Sequence, residues 1–161
     1  MIIISKLTER DYINASFVLL SKKMAVRIII ATVTLGMVGG ILSDIMYRGS
    51  FKLDQILPLI VFIFFFTTIY YFSIKRAFKS NKRASESIEY QFIEEYLIIN
   101  GESFTSKLSW DKIYRVTQTK HWIFIWHSRV SANSINKRDI WPEQRDELKQ
   151  LCAKHRVRNN L

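Results

Sequence analysis

Two long apolar stretches and a later run of alternating residues divide the chain. Sixteen residues from Ile28 to Ser43 and twenty from Gln55 to Ile74 contain no Asp, Glu, Lys or Arg. About 20 helical residues at 1.5 Å each match a hydrocarbon core of roughly 30 Å. The pattern therefore predicts two spans, about 25–47 and 55–74, with Arg27 snorkelling at one end of the shorter run and Asp44 at the opposite headgroup level. Pro58 falls in the first turn of the second span, where a missing N–H costs least, and Tyr70, Tyr71 and Phe72 put rings at its far interface. Ahead of the spans, Ile2, Ile3 and Ile4 read as a short strand. Thr8-Glu9-Arg10-Asp11 then reads as a helix start, with Thr8 accepting from first-turn amides and acids near the positive helix end. The helix after it is expected either to lead into the first span or to lie on the membrane surface.

Past Arg83 the period changes to two. Ile88, Tyr90 and Phe92 alternate with Glu89 and Gln91, and Tyr96 to Ile99 is a brief apolar run. After Asn100-Gly101 come Phe104, Ser106, Leu108 and Trp110, alternating with Thr105, Lys107 and Ser109. Asn-Gly between such runs predicts a hairpin whose turn residues take positive φ. Further strands are expected at 114–119, 122–127 and 130–135. Trp122-Ile-Phe-Ile-Trp126 is apolar on both faces, as in a central strand or one touching another surface. A final helix starts at Pro142, carries Glu143, Asp146 and Glu147 early, sets Leu148, Leu151 and Cys152 on one face, and ends on Lys154, His155 and Arg156.

The expected fold is thus an α+β membrane protein. A two-helix transmembrane hairpin joins a small antiparallel β domain closed by one C-terminal helix, the outline of a pleckstrin-homology-like barrel, a pattern shared by other open sheets with one helix. Its divisions are a strand and juxtamembrane helix over 1–24, the hairpin over 25–74, a basic junction over 75–83 and a β domain over 84–161 that is expected to fold alone.

Charge orients this arrangement. The formal +10 is distributed as +3 over residues 1–27, 0 over 28–54, +5 over 55–83 and +2 over 84–161. The basic excess flanks the apolar region: Lys22, Lys23 and Arg27 before it, Lys75, Arg76, Lys79, Lys82 and Arg83 after it. Between the spans, Arg48 and Lys52 balance Asp44 and Asp54. Basic flanks are retained on the cytoplasmic side, so both termini are expected there. A Lys or Arg beside an anionic leaflet is worth about 1 kcal/mol, and a juxtamembrane excess argues against nucleic acid as the partner. A cleaved targeting peptide fits poorly, because the first apolar run starts late, after Glu9 and Asp11. The single cysteine, Cys152, excludes an internal disulfide.

Thr32, Gly36 and Gly40 share one helix face and form a small-residue seam, expected to pack on the second span of the same chain or, alternatively, in a homodimer. His121 and His127 would stand about 20 Å apart along an extended strand, too far for one metal ion, and His155 belongs at a helix end. No cofactor or catalytic group is expected. Glu94-Glu95 and Asp146-Glu147 fit a turn and an early helix position. Of the tryptophans, Trp110 and Trp141 read as core. Trp122 and Trp126 read as core or, with Arg129 nearby, as a contact patch.

The series of features resembles the YcxB-like family of small bacterial membrane proteins: the initial strand, the Thr8-x-x-Asp11 start, two spans, the basic junction, Tyr90-x-Phe92, the run Tyr96 to Ile99, Leu108-Ser-Trp110-Asp-Lys-Ile113, and Lys137-Arg138 before the last helix. The resemblance implies a two-span anchor, a cytoplasmic domain similar to bacterial pleckstrin-homology domains, and no established enzymatic activity. Ile135-Asn136-Lys137-Arg138 departs from the family's usual Ile-Pro-Lys-Arg. The expected function is non-enzymatic: a module binding a protein partner or acidic lipid headgroups. The alternative is an immunity protein against a membrane-active bacteriocin.

Overall fold

The amino-terminal isoleucines form β1 (Ile2–Lys6), and its partner lies on the far side of both apolar stretches: β1 pairs antiparallel with β2 (Ser87–Phe92), Ile3 opposite Tyr90. The computed structural model describes residues 1–48 and 56–161. They divide into one unit of Met1–Ala15 with Phe78–Leu161 and a second of Ser16–Ala77. This corrects the division read from the sequence. Residues 1–15 are not a separate lead-in but part of the β domain, which is therefore not contained in 84–161. Ile3 and Ser5 face inward and are buried, and β1 supplies the ladder that β2 would otherwise lack.

Within the first unit, β1, β2, β3 (Tyr96–Asn100) and β4 (Thr105–Ser109) form one antiparallel sheet in that order. A second is made of β5 (Arg115–Gln118), β6 (Trp122–Trp126) and β7 (Ala132–Asn136). The inward residues Tyr90, Phe92, Leu97, Ile99, Val116, Ile123, Ile125 and Ile135 share a core with Leu148 and Cys152 of the closing helix α4 (Pro142–Lys154). The hairpin expected at Asn100-Gly101 is present, but its mechanism differs. Asn100 stays in the strand opposite Thr105, and the loop closes through Gly101 N–H donating to the Phe104 carbonyl at 2.8 Å. Among the described residues the only non-glycine positive φ is at Arg156, just past α4. Gly101 is required by close approach, since a Cβ there would lie 2.4 Å from the Phe104 ring and 2.7 Å from a Glu86 carboxylate oxygen.

The second unit holds the rest of α1 (Glu9–Lys22), then α2 (Met24–Arg48) and α3 (Leu57–Ser80) up to Ala77. Both α2 and α3 are long and apolar enough to cross a membrane. A one-residue break at Lys23 separates α1 from α2, and Arg27 Nε donates across it to the Ser21 carbonyl at 3.0 Å. Tyr70 meets α1 twice, its hydroxyl donating to the Ser16 carbonyl and its ring set edge-on to Phe17 at 5.1 Å. Residues 49–55, including the Lys52 and Asp54 positions of the expected connection and the Gln55 start of the expected second span, lie outside the described residues.

Candidate functional site

The helix start expected at Thr8 forms as a reciprocal cap: Asp11 N–H donates to Thr8 Oγ1 at 3.2 Å, and Thr8 N–H donates to Asp11 Oδ2 at 3.1 Å. The structure adds what local sequence could not show. Arg138, in the turn after β7, places both terminal guanidinium nitrogens on the Asp11 carboxylate, the shorter contact 2.6 Å, and Asn136 Nδ2 donates to Asp11 Oδ1 at 3.4 Å. Asn136 Oδ1 also accepts the Arg138 N–H and so caps the turn that aims the arginine. Beside this cluster, Ser5 Oγ donates to Asp139.

Asp11 is buried, which on its own would raise its pKa, but the Thr8 hydrogen bonds and Arg138 outweigh burial and hold it below its ordinary value. Because the folded value is depressed, this stabilisation is present above the ordinary carboxylate pKa and is lost as pH falls through the folded value. Asp11→Ala is expected to cost about 2–3 kcal/mol, mostly from orphaned Thr8 and Asn136 groups, since Arg138 is half exposed. Thermal melts from pH 7 to pH 3 should show the wild type approaching the variant at the acid end.

The basic junction is split between two elements. Lys75, Arg76 and Lys79 ride the last turns of α3, which continues to Ser80, while Lys82 and Arg83 open a 3-10 turn over Lys82–Ser85. Arg76, Lys79, Lys82 and Arg83 are exposed. The Arg83 guanidinium sits 5.2 Å over the Phe104 ring. Buried Glu86 accepts from Ser103 N–H and Oγ, and these bonds, partly offset by burial, hold its carboxyl below the usual range.

The proposed contact patch is corrected. Trp122 and Trp126 are 4% and 1% exposed, and every residue of β6 is buried, so this strand is covered on both faces. Trp126 Nε1 donates to Thr117 Oγ1 at 2.8 Å beneath the Arg115 guanidinium, whereas Arg129 is exposed in the following turn. Trp110 is core, as expected, with Nε1 donating to the Ile93 carbonyl and its ring stacked on His155. Trp141 is not: it is 72% exposed, and its backbone N–H donates to Gln144 Oε1 at the start of α4. His121 and His127 lie in separate turns, and burial pushes the Cys152 thiol up to about 12. Among the described residues no three His, Cys, Asp or Glu side chains converge on a metal position. The seam of Thr32, Gly36 and Gly40 lies on α2, and a Cβ built at Gly36 or Gly40 would meet nothing within 4 Å.

Sequence reasoning did not single out a cavity of about 280 Å³ at one end of the two sheets. Ile88, Ile99, Phe104 and Leu108 form its apolar wall, and Ser106, His127 and Asn133 its polar side. The signal was present in the alternation: exposed Ser106 pairs with buried Ile99, so a polar residue stands where the strand phase calls for an apolar one.

The architecture defines a class, an α+β domain whose first strand and second strand are separated by two apolar helices. Residues 92–152 match the family model described as YcxB-like protein, so the chain carries a YcxB-like segment from the end of β2 into α4. No curated protein and no solved structure matches.

Proposed function

We propose that this is a non-enzymatic bacterial inner-membrane protein, in which a helical hairpin tethers a pleckstrin-homology-like module that binds acidic lipid headgroups or a protein partner on the cytoplasmic side. The observation that carries the reading is the β1–β2 ladder. The chain leaves a folded domain along α1 and re-enters the same domain at Phe78, as two crossings require if both ends stay on one side. Exposed side chains on the helices support lipid as their solvent: Leu35 is 77% and Phe64 73% exposed, far from what water tolerates over a contiguous surface. Sheets of four and three strands closed by a C-terminal helix support the pleckstrin-homology-like reading. Tethering raises the local concentration of membrane partners enough for weak contacts to count.

In nanodiscs, the full chain is expected to show slower hydrogen exchange over residues 79–85 when anionic lipid replaces part of a zwitterionic bilayer, and to lose that protection in high salt. Lys79→Ala with Lys82→Ala removes about 1 kcal/mol for each charge, weakening headgroup attachment about thirtyfold. Identical exchange in both bilayers would rule out headgroups as the ligand. The open glycine face of α2 favours a second reading, immunity to a membrane-active bacteriocin through an intramembrane contact. Toxin binding that requires the intact hairpin would reverse the order.

A further inference from the structure

We draw no further inference here: the strongest candidate, the exposed apolar patch of Ile2, Ile4 and Trp141 where β1 meets the start of α4, carries nothing because nothing in the structure shows what covers it.

Discussion

Residues 84–161 expressed alone are expected to be recovered aggregated or without a cooperative melt, whereas residues 1–15 joined by a short Gly-Ser linker to 78–161 fold. The shorter fragment loses all of β1, exposing the β2 edge over the five-residue register from Ile2↔Gln91 to Lys6↔Ser87. It also loses Ile3, Ile13 and Ala15, each buried, and the Asp11 partner of Arg138. Burial of Ile3 alone is worth about 1.5–3 kcal/mol, and a domain of this size has only about 5–15 kcal/mol to lose. The joined version is feasible because the Tyr12 and Phe78 rings lie 5.3 Å apart, bringing the two chain ends within reach of a few linker residues. Dispersion of amide signals in a nitrogen-labelled spectrum separates the outcomes. A well-dispersed spectrum from 84–161 would show that β1 is dispensable.

Trp126→Ala is expected to destabilise the domain by about 3–5 kcal/mol, in the range of large-to-small changes at fully packed aromatic sites. The substitution empties the volume of a side chain that is 1% exposed, strands the Thr117 hydroxyl, and removes the ring beneath Arg115. Trp141→Ala is expected to change stability by no more than about 0.5 kcal/mol, as for ordinary surface positions, because its ring is 72% exposed. Circular dichroism melts of the full chain report both. The opposite order would return Trp122, Trp126 and Arg129 to the role of a surface patch.

The contrast between these tryptophans shows how far residue patterns reach. Trp122-Ile-Phe-Ile-Trp126 announced a strand apolar on both faces, and the structure covers both faces. Which tryptophan is enclosed depends on neighbours distant in sequence: Thr117 and Arg115 from β5 for Trp126, the Ile93 carbonyl and His155 for Trp110. Trp141 read as core, yet the cap at α4 is made by its backbone and Gln144, whose amide also donates to the Ile2 carbonyl. Lys137-Arg138 was visible as a motif, but its role required Asp11, more than a hundred residues earlier. The cavity was legible only as a misplaced serine in an otherwise apolar phase, because a void belongs to two sheets and not to either strand pattern.

What the sequence determined by itself are properties carried by neighbours along the chain. These include two uncharged runs long enough to cross a bilayer, the Thr8–Asp11 cap, the period-two strands, the turn at Glu94-Glu95 and the Pro142 start of α4. Each arises from hydrogen bonds or periodicity within a few residues, where composition and spacing suffice. Only the tertiary structure decided that β1 completes the sheet from across the helical insertion, that Asp11 meets Arg138, and that polar residues line an unfilled end of the core. Those contacts join segments far apart in sequence, and pairing at such separation is selected by the combined burial of both partners, which neither segment displays alone.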